Sequence, residues 1–311
     1  MKILVTGGAG FIGSHVAQAY QDQGHQVVVL DNLSTGSKDN LAPGLGLVEM
    51  DITDPGLSRF MRQERFAVVN HHAAQVSVPA STADPQGDLR VNGMGTLNLL
   101  QAAAASGVKR FIFISSGGAV YGEQEKLPIG EDTLPQPLSP YAAHKLLGES
   151  YLPFYAQAHG LTYVVLRYAN VYGPRQAPHA EAGVAAIFTD LLLQGRAGTI
   201  YRYPDMPRGM IRDYVFVSDV VQANLAALER GDNRIYNIGT GVPTATLDLY
   251  QTLARAAGVD LPPDFGPPRP GDLRRSLVDC ARARRELGWQ AQVDLDQGCR
   301  RTVEWARARQ G

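Results

Sequence analysis

Residues 2–13 read KILVTGGAGFIG, a short apolar run that is followed at once by a cluster of glycines. Gly8, Gly10 and Gly13 satisfy the pattern G-x-G-x-x-G, while Gly7, Gly10 and Gly13 place a glycine at every third residue. Glycine is needed in such a turn because the chain bends sharply and its backbone must approach a pyrophosphate. The amides at the start of the following helix would meet the phosphate charge. The stretch therefore predicts a strand, a phosphate-binding turn and a helix.

Short apolar runs alternate with longer helical patterns through the rest of the first half. Apolar runs without polar alternation indicate strands that are buried on both faces, which is typical of a parallel sheet covered by helices. The pattern predicts an α/β fold with a doubly wound parallel sheet. Its further predicted strands are QVVVL (26–30), LVEM (47–50), AVVN (67–70), RFIFIS (110–115) and residues 163–167, and its predicted helices lie at 11–23, 97–105 and 141–159.

The second half is less regular. Pro and Gly crowd three places that are predicted to be loops, at residues 172–179, 203–209 and 261–272. The remaining patterns predict helices near 185–193, 247–257 and 295–308 and a strand at 234–239. We predict one domain at 1–169 and a smaller, loop-rich lobe at 170–311, with residues about 211–240 returning to the first domain.

An acidic residue closes the second predicted strand. Asp31 follows QVVVL at the distance from the glycines where a carboxylate can accept hydrogen bonds from the ribose hydroxyls of a dinucleotide. A carboxylate at this position also repels a 2′-phosphate, so NAD is favoured over NADP as the cofactor. Asp51 and Ile52, which follow the third predicted strand, are candidates for contacts with the adenine edge.

The sequence SPYAAHK, residues 139–145, predicts the start of a helix with Ser139 as its N-cap. Tyr141 and Lys145 are four residues apart and would share one helix face, whereas His144 lies off that face and is predicted to be structural. A phenol titrates at about pH 10 and needs help to act as a base at neutral pH. A neighbouring ammonium and a positively charged nicotinamide would both favour the phenolate. We therefore predict that Tyr141 and Lys145 form a proton-transfer pair.

Further motifs appear in order along nearly the whole chain: NHHAAQ (70–75), RVNGMGTLNLL (90–100), SSGGAVYGE (115–123), RYANVYGPRQ (167–176), RDYVFVSDV (212–220), IYNIGTG (235–241) and RPGD (269–272). Together with the glycine cluster, Asp31 and YAAHK, they resemble the extended short-chain dehydrogenase/reductase family that acts on nucleotide sugars. Within that family the combination is most similar to the 4-epimerases of UDP-glucose and UDP-N-acetylglucosamine. The resemblance implies a Rossmann-type doubly wound sheet with a smaller substrate lobe.

The resemblance also implies which residues contact NAD. They come from the glycine turn, the ends of the predicted strands and the catalytic helix. These residues are Gly7, Gly10, Phe11, Ile12, Gly13, Asp31, Asn32, Asp51, Ile52, Ala73, Ala74, Asn92, Ser115, Tyr141, Lys145 and Tyr168.

For the substrate, the resemblance implies that Arg212 and Arg269 bind the diphosphate, because guanidinium groups match its geometry. It assigns a contact with the same group to Asn170 and a contact with the nucleotide ribose to Asp272. The remaining implied contacts are an aromatic stack of Tyr201 on uracil and the backbone of Gly183 and Val184 against the base.

The chain departs from the family pattern at Gly117. Many of these epimerases carry a serine that binds the sugar hydroxyl three residues before a VYG tripeptide, and counting back from Val120 gives a glycine here. Two alternatives remain open: Ser116 takes this role as a third catalytic residue beside Tyr141 and Lys145, or the glycine amides and a water do so. Gly117 is retained among the expected substrate contacts.

Ser276 stands where the resemblance places the residue beside the sugar C2 substituent. Serine is small, so the pocket is predicted to accept UDP-N-acetylglucosamine as well as UDP-glucose. The alternative is that Ser276 caps a surface turn.

The implied activity is interconversion of the C4 epimers of a UDP-hexose, UDP-glucose and UDP-galactose together with their N-acetylated forms, through NAD-dependent oxidation to a 4-keto intermediate. A nucleotide-sugar dehydratase, decarboxylase or reductase on the same scaffold is the enzymatic alternative. Gly117-Gly118-Ala119 supplies no carboxylate for such a dehydratase. A non-catalytic NAD-sensing regulator is a third hypothesis, which the presence of Tyr141 and Lys145 disfavours.

Composition limits the partners and the location. With a formal net charge of −1, the chain gives no electrostatic reason to expect nucleic acid or an anionic membrane as a partner. Cys280 and Cys299 lie far apart and form no CxxC pair, which predicts reduced thiols in a cytoplasmic protein and no metal site. The amino-terminal apolar run is too short for a signal peptide. The resemblance further implies a homodimer.

Overall fold

Seven parallel strands form the central sheet of the computed structural model, which describes residues 1–178, 183–269 and 272–309. Across the sheet the strands are β11 (Arg234–Ile238), β6 (Thr162–Tyr168), β5 (Arg110–Ser116), β4 (Val68–His71), β1 (Lys2–Thr6), β2 (Gln26–Asp31) and β3 (Gly46–Glu49). The chain order reverses between β1 and β4. A reversal of this kind opens a crevice at the carboxyl ends of the strands, which is where ligands bind in open α/β sheets.

Helices cover both faces of this sheet, as the unbroken apolar strands predicted. In β1, Ile3 and Val5 belong to one core and Leu4 to the other, and all three are fully buried. The first core lies under α1 (Phe11–Asp22) and α8 (Val217–Ala227). The second core lies under α2 (Leu57–Glu64), α5 (Thr96–Ser106) and α6 (Pro140–His159).

Helix α6 begins where the sequence predicts. The Ser139 hydroxyl accepts a hydrogen bond from Ala142 N at 3.2 Å, and Pro140 occupies the first helical position. Gly160 ends the helix in the left-handed conformation, with a φ of +66°. The helix therefore has a defined start, and this start lies directly beside the carboxyl end of β5.

The segment before α5 is more helical than the sequence predicts. Helices α3 (Val78–Ala83) and α4 (Pro85–Asp88) lead into a π-helical stretch, Leu89–Gly95, which continues into α5. A π segment is rare and is often found at functional sites. Gly95 has no side chain here because a Cβ would lie 2.6 Å from Cδ1 of the buried Ile52.

The second half of the chain builds a third core from α7 (Val184–Leu193), α9 (Thr246–Ala257) and α10 (Leu295–Ala308). Three small sheets accompany these helices. They pair β7 (Asn170–Tyr172) with β10 (Tyr214–Phe216), β8 (Thr199–Tyr201) with β13 (Asp264–Gly266), and β9 (Ile211–Arg212) with both β12 (Thr244–Ala245) and β14 (Arg275–Ser276). The short remaining helices are a 3₁₀ turn at Lys38–Asn40 and a π turn at Ala283–Leu287.

The chain returns from the second half to the large sheet. Strand β11 pairs in parallel with β6, and α8 packs on α1. The predicted domain boundary between residues 169 and 170 stays a prediction. No helix among the described residues is long and apolar enough to cross a bilayer.

Candidate active site

The glycine turn packs tightly against the loop that follows β4. Gly7 has a φ of +66°, and a Cβ at this residue would lie 2.5 Å from Ala73 N. A Cβ at Gly13 would lie 2.3 Å from the carbonyl oxygen of Gly7. Helix α1 begins at Phe11 without a side-chain cap, so its first turn presents backbone amides to an anion. Gly10 precedes it, and Ile12 lies within this first turn. The geometry fits the pyrophosphate of a dinucleotide.

Asp31 ends β2 with its carboxylate tied to the glycine turn. Its two oxygens accept hydrogen bonds from Ala9 N at 3.0 Å and from Leu33 N at 2.8 Å. These two bonds hold a negative charge in one position at the edge of the crevice. Beyond it, Asn32 Nδ2 donates to Asp51 Oδ2 at 2.6 Å, so these two predicted contacts lie side by side.

Asn92 braces the loop that carries Ala73 and Ala74. Its Oδ1 accepts a hydrogen bond from Gln75 N at 3.1 Å, and its Nδ2 donates to Gln75 O at 2.9 Å. Ala73 N in turn donates to Thr6 Oγ1 at 3.4 Å. The π-helical stretch thus places an amide that holds the loop against the glycine turn.

Tyr141, Lys145 and Ser116 come together between α6 and the end of β5. Lys145 Nζ donates to the carbonyl oxygen of Ile114 at 3.0 Å and lies 6.0 Å from the centre of the Tyr141 ring. The Ser116 hydroxyl lies close enough to the Tyr141 phenol to act against the rise of its pKa. The three predicted catalytic side chains are therefore neighbours.

Burial governs the proton affinity of this pair. It raises the pKa of Tyr141 to about 12, against the hydrogen bond from Ser116, and the charge of Asp88 adds to the rise. It lowers the pKa of Lys145 to about 8, against the carboxylates of Asp88 and Glu149. The sequence predicts that Lys145 lowers the tyrosine pKa, but desolvation of the phenol outweighs its neighbours here. Phenolate formation therefore needs a further positive charge at the site.

Gly117 has little room for the serine found in related sequences. Its amide donates to Tyr168 O at 2.8 Å, and a Cβ at this residue would lie 3.1 Å from both Arg167 O and Val278 Cγ1. Of the two alternatives for the sugar contact, Ser116 is favoured, because the Gly117 amide already donates to Tyr168 O.

Three polar side chains surround the neighbouring Gly118. A Cβ built on it would lie 3.6 Å from Asn170 Oδ1, 3.9 Å from Ser116 Oγ and 3.9 Å from Ser276 Oγ. Asn170 Oδ1 is buried and has no hydrogen-bond partner among the described residues. Gly118 thus forms a glycine floor, a surface without a side chain that has these three polar groups around it. Asn170 Oδ1 is available there as an acceptor for a ligand.

Two residues that were expected to bind the cofactor use their side chains elsewhere. Ser115 Oγ donates to Glu149 Oε1 at 2.5 Å, and the Tyr168 hydroxyl accepts a hydrogen bond from Asn224 Nδ2 at 2.6 Å. Both side chains are buried. These hydrogen bonds hold both side chains within the protein, and the contact of Ser115 and Tyr168 with NAD stays a prediction.

Arg212 lies in β9, directly opposite Ser276 of β14. Its Nη1 donates to the carbonyl oxygen of Ile211 at 2.9 Å, the only hydrogen bond of its guanidinium to the described residues. Burial lowers the pKa of Arg212, while Tyr214 and then Asp272 act in the opposite direction. A half-buried guanidinium with most donors unused can bind an anion.

Arg269, Asp272 and Tyr201 form a second cluster on the same side. Arg269 Nε lies 3.2 Å from Asp272 Oδ2, and its guanidinium carbon lies 4.8 Å from the centre of the Tyr201 ring. The intervening Pro270 and Gly271 of the RPGD motif lie outside the described residues. This cluster combines a cation, a carboxylate and an aromatic face.

Gly183 and Val184 start helix α7. Gly183 has a φ of +105° and is the N-cap, which leaves the helix without a side-chain cap. A Cβ at Gly183 would lie 3.0 Å from the side chain of Gln176. The contact of Gly183 and Val184 with the base stays a prediction.

Two buried carboxylates near the site have no role that the sequence predicts. Asp213 accepts hydrogen bonds from Thr240 N at 2.7 Å and Gly241 N at 3.0 Å, which fixes the loop after β11. Glu149 forms a buried ion pair with Arg167 at 2.5 Å. The spacing of Glu149, four residues after Lys145, is the one sequence signal that could have placed it on the catalytic face.

Comparison with known proteins identifies a family model and relatives that cover most of the chain. The family model described as "NAD dependent epimerase/dehydratase family" matches residues 3–239. The chain is 45% identical to a UDP-glucose 4-epimerase of Mycolicibacterium smegmatis, over 99% of both proteins.

Two solved structures extend this similarity to the fold. A UDP-glucose 4-epimerase from Thermotoga maritima, crystallised with UDP-glucose, is 46% identical with a TM-score of 0.96 over 100% of both chains. A UDP-glucose 4-epimerase from Thermus thermophilus, in complex with NAD, is 45% identical with a TM-score of 0.93 over 99% of both chains.

Proposed function

The chain belongs to the NAD dependent epimerase/dehydratase family, and on this premise we propose that it interconverts UDP-glucose and UDP-galactose by inverting C4 of the sugar. The observation that carries the proposal is the convergence of Tyr141, Ser116 and Lys145 beside the glycine floor at Gly118. The relatives that are 45% and 46% identical are UDP-glucose 4-epimerases, which supports the same substrate.

The residues of the crevice fit NAD. The tight glycine turn accommodates a pyrophosphate, and the anchored carboxylate of Asp31 accepts hydrogen bonds from ribose hydroxyls. When bound, NAD supplies a reversible two-electron acceptor for the hydrogen on C4 of the sugar. Lys145 and the backbone of Ala73 and Ala74 would hold the nicotinamide half.

The chain itself handles the proton and the orientation of the sugar. Tyr141 removes the proton of the sugar 4-hydroxyl and returns it after inversion, and Ser116 orients that hydroxyl. Lys145 places a positive charge beside the phenol. Arg212 and Arg269 hold the diphosphate. The 4-keto sugar can therefore rotate above the glycine floor while its nucleotide stays bound.

A panel of UDP-, dTDP- and GDP-sugars, with products identified by NMR, tests the function. Conversion of UDP-glucose to UDP-galactose without net change in NADH absorbance is the expected result. Loss of water from the sugar would instead indicate a dehydratase, and net NADH formation a dehydrogenase. An NAD-sensing regulator would bind the cofactor and convert none of the sugars.

Cofactor choice is expected to depend on Asp31. The wild-type protein should bind NAD more tightly than NADP, because the carboxylate accepts hydrogen bonds from the ribose hydroxyls and repels a 2′-phosphate. Asp31→Asn should weaken NAD binding by roughly 10- to 150-fold, the loss expected for a charge-assisted hydrogen bond. Titration calorimetry measures both cofactors, with Asp39→Asn as the exposed control. Equal affinity of the wild type for NAD and NADP would refute this interpretation of the β2 end.

Arg212 is expected to determine substrate affinity. Arg212→Ala should weaken UDP binding by about 1.5–3 kcal/mol, which is roughly 10- to 150-fold, because a charge-assisted contact to the diphosphate is lost. Arg275→Ala, next to Ser276 but exposed, is the matched control and should leave affinity unchanged. Calorimetry with UDP provides the measurement, and unaltered UDP affinity in Arg212→Ala would place the diphosphate elsewhere.

We further propose a homodimer, a cytoplasmic location and a role in galactose metabolism. Met94 and Phe154 are large apolar residues that are 57% and 58% exposed on neighbouring helical segments, which suits a face that a second copy covers. Both cysteines are free thiols, as suits a reducing compartment. Light scattering on the purified protein measures the oligomer.

A further inference from the structure

Asp88 is a buried carboxylate at the end of α4, close to the Tyr141–Lys145 pair. Its side chain is 0% exposed, and Oδ2 lies 2.5 Å from His144 Nδ1. Its Oδ1 accepts hydrogen bonds from Gln75 Nε2 at 2.7 Å and from Asn92 Nδ2 at 3.0 Å. Three donors from three separate segments therefore meet one carboxylate.

These contacts connect the catalytic helix to the cofactor loop. His144 lies in α6 immediately before Lys145, and Gln75 lies directly after Ala73 and Ala74. Every contact of Asp88 is with a donor, so an acceptor-only carboxylate satisfies all of them. An amide at this position would turn an NH₂ group toward one of these donors. The interaction therefore favours a charged group over an isosteric neutral one.

The charge of Asp88 also acts on the proton-transfer pair. It raises the pKa of Tyr141 and the pKa of Lys145. The other ionisable groups that face the pair are Glu149 and His144 on α6 and His71 and His72 at the end of β4. Glu149 is compensated by two hydrogen bonds from Arg167, at 2.9 and 2.5 Å, and burial lowers the pKa of His72 to about 3. Asp88 is thus the negative group near the pair that no cationic arginine among the described residues compensates, and its charge acts on the Tyr141 phenol.

We propose that Asp88 is a positioning residue for the reaction: its carboxylate holds α6 against the cofactor loop through His144 and Gln75, and its negative charge acts on the Tyr141–Lys145 pair. The proposal rests on the proposed function for its role in turnover. The contacts and the electrostatic effect can be tested without turnover.

The first test is an NMR titration of carbon-13-labelled tyrosine in wild type and in Asp88→Asn, with the Tyr141 signal assigned by its loss in Tyr141→Phe. Removal of the negative charge makes the phenolate easier to form, so the midpoint of Tyr141 should fall by about one pH unit. This measurement needs no catalysis. An unchanged midpoint overturns the proposal, whereas a wild type that converts no UDP-sugar contradicts only the proposed function.

The second test is the pH dependence of kcat/KM. Activity requires the phenolate of Tyr141 together with the ammonium of Lys145, and both pKa values drop when Asp88 is neutralised. The whole profile of Asp88→Asn should therefore move to lower pH. Loss of packing alone would reduce the rate without moving the profile, and that result contradicts the proposal.

Two matched variants separate the contacts from the charge. Asp84→Asn makes the same substitution at the exposed N-cap of α4 and should leave both measurements unchanged. His144→Ala removes the link but keeps the charge, so kcat should fall about tenfold while the Tyr141 midpoint does not fall. His144→Asn supplies a donor in place of Nδ1 and should restore most of kcat. Wild-type kcat in His144→Ala would overturn the positioning role even if Asp88→Asn fails to fold.

Discussion

Tyr141→Phe is expected to lower turnover by about 10²–10⁴-fold, the range for loss of a general base, while the affinities for NAD and UDP-sugars stay close to wild type. The substitution removes one hydroxyl and keeps the aromatic ring that packs in the site. The phenol is the group that Ser116 contacts, and it lies beside Lys145. Proton transfer from the sugar 4-hydroxyl therefore loses its acceptor, whereas the diphosphate and cofactor contacts remain.

Steady-state kinetics of both directions, together with calorimetry for NAD and UDP, provide the measurement. Tyr151→Phe is the matched control, since it makes the same change on α6 ten residues further along the helix and should retain full activity. Turnover of Tyr141→Phe within a few fold of wild type would mean that another group accepts the proton. A parallel loss of NAD binding would instead assign Tyr141 mainly to the cofactor.

Sequence reasoning predicts best the features of this molecule that are determined by neighbouring residues in the chain. The glycine turn, the Ser139 cap and the apolar strands each depend on residues that are adjacent in sequence, and the structure places all of them as expected. The two-residue strands β9, β12 and β14 are too short to show any periodicity, and the sequence analysis missed them.

The groups that sequence reasoning missed are joined by long-range contacts. Asp88 and His144 are 56 residues apart, and the pairing of Arg167 with Glu149 connects a strand to a helix. Nothing in the spacing of such pairs indicates that they meet, because the sheet order brings them together. The same holds for Gly118 and Ser276, whose proximity only the folded chain reveals.

Ser276→Tyr is expected to abolish activity on UDP-N-acetylglucosamine while leaving epimerisation of UDP-glucose largely intact. The structure removes the alternative that Ser276 caps a surface turn, because the residue is 3% exposed and lies in β14 opposite Arg212. Its hydroxyl oxygen lies 3.9 Å from a Cβ built on Gly118, beside the glycine floor over which the sugar is proposed to turn.

A tyrosine ring directed from β14 toward Gly118 would occupy space that the acetamide of the larger sugar needs, whereas a 2-hydroxyl requires far less room. Arg212, on the adjacent strand, would still bind the diphosphate, so the affinity for UDP should remain close to that of wild type.

Ser276→Ala is the matched control, since it keeps the space and should turn over both sugars. The measurement is kcat/KM for UDP-glucose and UDP-N-acetylglucosamine with each variant, normalised to the fraction of folded protein. Equal loss on both sugars in Ser276→Tyr, or no loss on either, would show that the wall beside the C2 substituent is built from other residues. Selective loss would identify the small side chain at 276 as the feature that admits the N-acetyl group.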